Sequence, residues 1–250
     1  MARRTSKPKK PTYKGKLLKT PIGNGHCTSA FQIGGEWAYE MTDILPVFAK
    51  HLKKRCKGGR RQNLVSITGD TGSGKSTLGI ALAMAMDPEW DIDEGYIYED
   101  EDLKDRVRRN LDGAIMLMDE GTVTINAHDH NKKEVKQIGV IFDTMRSLGW
   151  TVFICSPRLS QISKTVRDVH IAYLIRIPRT GRMNIYYPKR GEFKSGIYWQ
   201  LVARGPFPDI DGDVARKYKA IKRQRQEAYL SQFSGKKETA EEEEVYIIGD

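Results

Sequence analysis

The sequence predicts an α/β fold with a mostly parallel sheet covered by helices, and three observations carry this prediction. Apolar, strand-like runs alternate with helix-forming segments through the middle of the chain, which is typical of parallel strands joined by helices. One apolar run, 64–68, leads directly into the glycine-rich segment 69–76. A second run, 114–118, ends in two acids, Asp119 and Glu120.

The segment 69–76 reads Gly-Asp-Thr-Gly-Ser-Gly-Lys-Ser and has the pattern and the setting of a P-loop, a phosphate-binding turn between a strand and a helix. Its glycines allow backbone N–H groups to approach phosphate oxygens, and the start of the next helix adds partial positive charge. Lys75 can reach the β- and γ-phosphates, and the Ser76 hydroxyl can ligate Mg²⁺. The predicted nucleotide-binding residues are Gly69, Asp70, Thr71, Gly72, Ser73, Gly74, Lys75, Ser76 and Thr77.

The apolar run before Asp119 and Glu120 is typical of a Walker B strand. Burial of this strand would place Asp119 at the carboxyl end of the sheet beside the phosphates, where it can hold Mg²⁺. Glu120 can then orient and polarise the attacking water. A kinase that transfers phosphate to a substrate hydroxyl does not need this glutamate, so the pair favours ATP hydrolysis. The alternative is a plain buried strand that ends in a polar turn.

The predicted ATPase core spans 60–178. Its five strands are predicted at 64–68, 96–98, 114–118, 151–155 and 170–177, with helices near 75–86, 101–110, 132–147 and 159–168. A strand between the P-loop strand and the Walker B strand fits the RecA-like division of P-loop proteins, whose sheet order is 5-1-4-3-2. Around the core we predict a disordered basic tail (1–20), a cover segment with a helix over 43–57 (21–59), a β-hairpin extension (179–210), a basic helix (211–234) and an acidic tail (235–250).

Composition indicates a soluble, intracellular protein with a polyanionic partner. The chain has 250 residues and a net charge of +10, and it contains neither a membrane-spanning apolar run nor a signal-peptide core. Cys27, Cys56 and Cys155 show no paired spacing and indicate reduced thiols. Basic residues cluster in 1–20, 50–61 and 216–225, a distribution that favours nucleic-acid contact over solvated charge alone.

A γ-phosphate sensor and an arginine finger complete the expected site. In the predicted order, strand 151–155 lies between the P-loop and Walker B strands, so Ser156 at its end would face the γ-phosphate; equally, Ser156 can simply start a turn before Pro157. A guanidinium can neutralise the charge that develops on the γ oxygens. The candidates, each of which can also be an ordinary surface arginine, are Arg146, ranked first, Arg158, ranked second, Arg167 and Arg176.

The order of these motifs resembles the FtsK/HerA superfamily of DNA-pumping ATPases over about 60–177, and it is similar to compact archaeal and viral genome-packaging members. The P-loop is followed by Met-Leu-Met-Asp-Glu, then Met-Arg-Ser-Leu-Gly-Trp, then Thr-Val-Phe-Ile-Cys-Ser-Pro-Arg. The resemblance implies that Arg146, which with Gly149 matches an Arg-x-x-Gly pattern, acts across a subunit interface. Pro157 stands where the family usually has glutamine, and proline has no side-chain amide with which to sense the γ-phosphate.

The expected function is Mg²⁺-dependent ATP hydrolysis coupled to translocation or packaging of double-stranded DNA by a homo-oligomeric ring, a hexamer or a pentamer. The expected location is the cytoplasm, or the host cytoplasm or virion for a viral protein, with a capsid, membrane or replication complex as partner. The first alternative is a Zot-like or plasmid-maintenance ATPase. The second is a nucleotide-gated binding switch with little turnover, and a small-molecule kinase is third.

Overall fold

The computed structural model describes residues 12–57, 61–97, 100–109, 111–119, 140–143, 145–190 and 197–234. Contacts within the chain divide it into two units, residues 1–209 and 210–250. In the first unit the described residues form one ten-stranded sheet with flanking helices, which confirms the predicted α/β class. No helix among the described ranges is long and apolar enough to cross a membrane.

The N-terminal part of the sheet is antiparallel. β1 (Thr12–Thr20), β2 (Gly23–Ile33) and β3 (Glu36–Met41) pair in sequence, and Gly34 turns between β2 and β3 at a φ of 58°. α1 (Ile44–Cys56) follows and buries one apolar face, which confirms the helix predicted over 43–57.

The prediction of a disordered tail over 1–20 is wrong for residues 12–20, because these residues form β1. Among the described strands, β1 is the outermost strand of the sheet and pairs with β2 alone. A strand in this position is held mainly by backbone hydrogen bonds to its one neighbour and does not require apolar side chains on both faces. Lysine is common in edge strands, since its charge discourages pairing with another chain. The lysine-rich composition that indicated disorder therefore also suits an edge strand. Residues 1–11 lie outside the described residues.

The central part of the sheet consists of β4 (Asn63–Thr68), β5 (Tyr96–Ile97), β6 (Ile115–Met118), β7 (Thr151–Ser156) and β8 (Ile171–Arg179). These strands are parallel and lie in the order β8-β4-β7-β6-β5, which reads 5-1-4-3-2 when the five are numbered along the chain. Every residue of β4 and β7 is buried, as expected of strands covered on both faces. We call the edge formed by the carboxyl ends of these strands the carboxyl edge, and the opposite edge the amino edge.

Three helices join the first strands of the core: α2 (Lys75–Met86), α3 (Ile92–Gly95) and α4 (Asp100–Arg109). The helices predicted near 75–86 and 101–110 are thereby confirmed. α2 packs closely on β6, since a Cβ added to Gly79 would lie only 2.5 Å from Cδ1 of Leu117. This contact fixes the first turn of α2 over the carboxyl edge.

The later predicted helices are described in part only or differ in helix type from the prediction. Of the helix predicted over 132–147, residues 140–143 are helical and Met145–Leu148 form a 3-10 helix, while 132–139 and 144 lie outside the described residues. The stretch predicted at 159–168 is a 3-10 helix at Leu159–Gln161 and a π-helix at Val166–His170. Single turns suit the short connection 157–170, because nucleating an α-helix is costly.

The strands after the core extend the same sheet. β9 (Arg182–Arg190) pairs antiparallel with β8 on one side and with β10 (Ile197–Pro206) on the other. β10 also pairs in parallel with β3, through Ala203 and Tyr39. The predicted boundary between a core ending at 178 and a hairpin extension at 179 therefore falls within a continuous sheet, inside β8.

The described part of the second unit is one helix, α5 (Gly212–Ser234). It carries the basic residues of 216–225, and Arg223 Nε contacts Glu227 Oε1 at 2.8 Å one turn further on. The basic helix predicted over 211–234 is confirmed as a helix. The acidic tail predicted over 235–250 lies outside the described residues.

Candidate functional site

The P-loop lies at the carboxyl edge, between the end of β4 and the first residue of α2. Gly72 and Gly74 have φ values of 77° and 91°, which side-chain-bearing residues rarely adopt. A Cβ on Gly69 would lie 2.7 Å from Ser73 Oγ and 3.1 Å from the carbonyl oxygen of Ile177. The three glycines therefore satisfy separate requirements: two allow the path of the turn, and one allows its close packing on β8.

Lys75 folds back over the loop that precedes it. Its Nζ donates to the carbonyl oxygens of Gly69 and Asp70, both at 3.0 Å. The flexible ammonium group is thus held at the mouth of the loop by two neutral acceptors. A phosphate group would be a stronger, charged acceptor for the same donor.

Ser76 and Asp119 meet as the Walker motifs predict. Ser76 Oγ donates to Asp119 Oδ1 at 2.6 Å, and the Tyr96 hydroxyl donates to Asp119 Oδ2 at 2.9 Å. Ser76 and Asp119 are both buried, with exposed fractions of 9% and 5%. The first turn of α2 and the ends of β5 and β6 thus place a serine hydroxyl beside a fixed carboxylate. An oxygen pair of this kind suits Mg²⁺, a hard cation.

The loop also fits a phosphate group. Ser73 is 8% exposed, and its Oγ is buried without a hydrogen-bond partner among the described residues. Leaving a buried hydroxyl unpaired costs free energy, and a phosphate group bound in the loop would offer this donor an acceptor. Together with the turn at Gly72 and Gly74, this orphaned donor supports the fit between the loop and a nucleotide.

Ser156 and Arg176 flank the P-loop strand at the carboxyl edge. The register pairs Thr68, the last residue of β4, with Ser156 of β7 on one side and with Arg176 of β8 on the other. Ser156 is fully buried, and its hydroxyl donates to the carbonyl oxygen of Arg158 at 3.3 Å, within the turn around Pro157. Arg176 is exposed.

The predicted arginines lie at opposite edges of the sheet. Arg158 is exposed and follows β7, so it lies at the carboxyl edge with the P-loop. Arg146 lies in the 3-10 helix before β7, at the amino edge, with its Nη2 3.7 Å from Asp143 Oδ1. Arg167, before β8, contacts Asp168 at 3.0 Å. Because the six residues of β7 span about 20 Å, Arg146 cannot reach the P-loop of its own chain.

Glu120, the predicted water-orienting residue, lies outside the described residues, directly after Asp119. Thr71 and Asp70 are exposed at the tip of the loop, and Thr77 is half-buried in the first turn of α2. All other predicted nucleotide-binding residues line the loop or its helix start. The nine-residue set is therefore brought together in one place.

Two further residues of the site were not predicted. Tyr96 is the first residue of β5, and its hydroxyl donates to the Asp119 carboxylate. The predicted strand order could have identified Tyr96, because it placed the second predicted strand beside the third, which leads into Asp119. Phe207 is 7% exposed, and its ring would lie 3.6 Å from a Cβ on Gly74. Phe207 follows β10 and lies between two prolines. In the sequence these prolines indicated only the end of a strand, so no local signal identified Phe207 as part of the site.

Comparison with protein families gives one match. The Zonular occludens toxin (Zot) family matches residues 91–177, a little over a third of the chain. The matched segment contains the Walker B strand and β7, but it begins after the P-loop. No curated protein matches the chain. The resemblance to the FtsK/HerA superfamily stays a prediction.

Solved structures include partial likenesses. One is the HORMA:CdnC:Trip13 complex from E. coli MS115-1, with 19% sequence identity and a TM-score of 0.37. The likeness covers 47% of this chain and 48% of that chain, so this chain spans about half the length of that protein. Another is the N-terminal domain of zonular occludens toxin from Neisseria meningitidis, at 18% identity over 62% and 97% (TM-score 0.37). A third is the genome packaging NTPase B204 from Sulfolobus turreted icosahedral virus 2, at 10% identity over 55% and 96% (TM-score 0.37).

Proposed function

We propose that this chain is a Mg²⁺-dependent P-loop NTPase that hydrolyses ATP. The observation that carries the proposal is the 2.6 Å hydrogen bond between Ser76 and Asp119, which joins the P-loop helix to the end of the Walker B strand. Serine hydroxyls and carboxylates are the groups that hold Mg²⁺ beside a nucleotide in P-loop proteins. Both groups are buried at the carboxyl edge, where ligands of open α/β sheets bind.

Each residue has a distinct task in this proposal. Backbone N–H groups of 69–76 bind the phosphates, and Lys75 exchanges its two carbonyl acceptors for phosphate oxygens. Ser76 and Asp119 would hold Mg²⁺, which would supply charge neutralisation on the phosphates. Glu120 orients the attacking water and accepts its proton.

The arginine and sensor assignments follow from their places in the sheet. Ser156 is proposed as the sensor and Arg158 as a second candidate finger, because both lie at the carboxyl edge. Arg146 lies at the amino edge, so it can act only on the site of a neighbouring chain. This arrangement supports a homo-oligomeric ring whose sites are completed across subunit interfaces.

We further propose that hydrolysis moves or packages double-stranded DNA. The support is the net charge of +10 and the basic clusters in 1–20, 50–61 and 216–225, which suit the phosphate backbone of a nucleic acid. Such contacts are independent of base sequence and weaken with salt. The proposed setting is the cytoplasm of a cell or of a virus-infected host.

A turnover assay with and without double-stranded DNA tests the proposal. Wild-type chain should release phosphate from ATP only with Mg²⁺, and DNA should stimulate the rate. Glu120→Gln should still bind a fluorescent ATP analogue while its turnover falls by about 100-fold or more. Glu89→Gln, at an exposed position outside the site, is the matched control. Turnover of Glu120→Gln at the wild-type rate would overturn the hydrolytic assignment.

A Zot-like ATPase that acts at a membrane or on a replication complex is the second candidate function. The observation that favours it is the family match over residues 91–177. This candidate shares the ATP chemistry and differs in the partner. ATPase activity that anionic vesicles stimulate and double-stranded DNA does not would favour it over a DNA motor. ATP binding without turnover under either condition would instead favour a nucleotide-gated switch.

A further inference from the structure

A basic cavity lies on the amino side of the sheet, away from the P-loop. Its volume is about 400 Å³, and its lining residues are His51, Lys54, Arg55, Lys57 and Arg61. No acidic residue lines it, and among the described residues no carboxylate forms an ion pair with any of these five. A larger neighbouring cavity shares Lys54 and Lys57 but also includes aspartates. Among the residues that the structure describes, the smaller cavity therefore has no acidic lining residue, and four of its five lining residues are cations.

Hydrogen bonds and a ring contact hold two of the residues that line this cavity, Arg55 and His51. Arg55 Nε donates to Asn63 Oδ1 at 2.9 Å, and the guanidinium carbon lies 5.3 Å from the centroid of the Tyr173 ring. Asn63 is fully buried and donates to the carbonyl oxygen of Leu52 at 3.0 Å. His51 Nε2 lies 2.6 Å from the Tyr173 hydroxyl. These contacts hold Arg55 in place before any ligand binds, which lowers the entropic cost of binding one.

The electrostatic environment favours an anion. Burial, with the positive charges of Arg55 and Lys54, lowers the pKa of His51 to about 4, so this ring is neutral at pH 7. Burial raises the pKa of Tyr173, which is also neutral there. The groups that face His51 are therefore cationic or neutral on both elements packed against it. A bound anion would relieve this unbalanced positive potential.

A row of tyrosines continues from the cavity across the sheet. The rings of Tyr173 and Tyr187 lie 5.7 Å apart, centroid to centroid. Tyr198 of β10 pairs with Lys189 of β9, two residues beyond Tyr187, so these three side chains share one face. Lys189 Nζ donates to Glu36 Oε1 at 2.9 Å, so its charge is already paired there. Tyr187 is 40% exposed and Tyr198 is 55% exposed. Exposed aromatic rings beside cations such as Arg55 bind single-stranded nucleic acid by base stacking and phosphate contact.

We propose that this cavity and the adjacent tyrosines bind the phosphodiester backbone of a nucleic acid at a surface separate from the nucleotide site. The inference rests on the DNA part of the proposed function and adds the surface that makes the contact. Guanidinium groups such as those of Arg55 and Arg61 match phosphate oxygens in a bidentate geometry. A concave site fits single phosphates of a flexible chain, whereas a flat lipid surface would engage the cavity poorly.

Charge reversal at the rim tests this surface. Lys54→Glu/Arg61→Glu changes two exposed cavity residues, and Arg108→Glu/Lys164→Glu makes the same change in charge at two exposed positions outside the cavity and outside the three basic clusters. Binding of labelled single- and double-stranded oligonucleotides to the full chain is measured by fluorescence anisotropy without nucleotide, over a salt series. The cavity variant should bind about 10-fold or more weakly, with its salt dependence reduced by about two counterions, and the control should stay within about 2-fold.

The outcomes separate this proposal from the function it rests on. Equal loss in both variants, or no loss in the cavity variant, would overturn the assigned surface while leaving DNA-stimulated turnover intact. Wild-type chain that binds neither oligonucleotide would remove the DNA part of the proposed function as well. A peptide of residues 235–250 or anionic vesicles bound in preference to oligonucleotides would identify a different occupant and overturn the proposal. An upward shift of the His51 pKa on oligonucleotide binding, followed by NMR, should accompany the expected result.

Discussion

At the scale of single residues, the buried hydrogen bond between Ser76 and Asp119 joins the two side chains on which the proposed metal site depends. The two residues are 43 positions apart in the chain, and both belong to motifs that the sequence alone identifies. Their hydrogen bond requires that the start of α2 and the end of β6 meet at one edge. The same carboxylate also accepts from Tyr96, so it is held from two sides.

The first prediction concerns this carboxylate. Asp119→Asn keeps the side-chain shape but removes the charge with which Asp119 is proposed to hold Mg²⁺, so we expect turnover to fall by about 100-fold or more. Tyr96→Phe is the matched control: it removes only one donor to the carboxylate, which should cost about 1 kcal/mol of stability and change turnover by a few fold at most. Phosphate release and urea unfolding measure the two effects. Equal turnover losses in both variants would contradict a metal-holding role for Asp119.

A motif that prescribes both residue type and spacing also predicts which of its residues lie together. The P-loop residues and Asp119 lie together as their motifs require. Ser73 Oγ lacks a partner and Phe207 packs at the loop, yet neither follows from local pattern, because their neighbours come from the path of the loop and from a distant strand. Tyr96 needed the strand order as well as its own identity.

At the scale of elements, the close approach of α2 to β6 sets the position of the P-loop helix. The second prediction is that Gly79→Ala destabilises the fold by about 1 kcal/mol, because the added Cβ would lie 2.5 Å from Leu117 Cδ1 and this buried leucine must shift, a cost only partly offset by the higher helix propensity of alanine. Leu117→Val in the same chain should recover part of this loss by freeing space. Urea unfolding of the two single variants and the double variant gives the coupling. If the losses in the free energy of unfolding of the two single variants simply add in the double variant, this contact does not set the distance between α2 and β6.

The packing of α1 against β8 predicts a pH dependence of stability. The pKa of His51 is about 4 in the folded chain, against an ordinary value of 6.5, so between these values only the unfolded chain binds the proton. Stability should therefore be full above about pH 6.5 and decline as the pH falls toward about 4. His170, whose pKa burial also lowers, contributes with the same sign.

Replacement of His51 isolates this third prediction. His51→Gln should have a smaller difference between its urea midpoints at pH 5 and pH 7.5 than wild type, with the remaining difference due to other groups such as His170. A His51→Gln chain whose pH dependence equals that of wild type would contradict the assignment. The measurement requires no nucleotide, so it is independent of the proposed activity.

The sequence predicted the type of each element, helix or strand, better than it predicted which strands pair. Periodicity indicated α1, α2 and the core strands, because each has its own apolar pattern. The pairing of β10 with β3 and the edge position of β1 depend on segments far apart in the chain, which no local pattern encodes. The basic composition of 1–20 indicated disorder, although backbone pairing alone is sufficient to order residues 12–20.

At the scale of the whole molecule, the two edges of the sheet have different chemistry. The carboxyl edge carries the P-loop, Asp119 and Arg158, while the amino edge carries Arg146 and the basic cavity. Arg146, the first-ranked candidate finger, therefore lies about 20 Å from the P-loop of its own chain. If that arginine acts at all in turnover, a second copy of the chain must present it.

The last prediction follows from this separation and uses mixed subunits. Lys75→Ala should be inactive because its P-loop lacks the phosphate-binding cation, and Arg146→Ala should be inactive because it offers no finger to its neighbour. In a random equimolar mixture about one interface in four joins an intact P-loop to an intact Arg146, so roughly a quarter of wild-type turnover should return.

Arg158→Ala mixed with Lys75→Ala is the matched comparison. Arg158 lies at the carboxyl edge with the P-loop, so if it serves its own site this mixture should recover no turnover, because no chain then holds both groups. Recovery with Arg146 but not with Arg158 would place the finger in trans. Inactive Arg146→Ala and Lys75→Ala chains that fail to complement each other would contradict a site shared between subunits. Full turnover by Arg146→Ala alone would remove Arg146 from the mechanism.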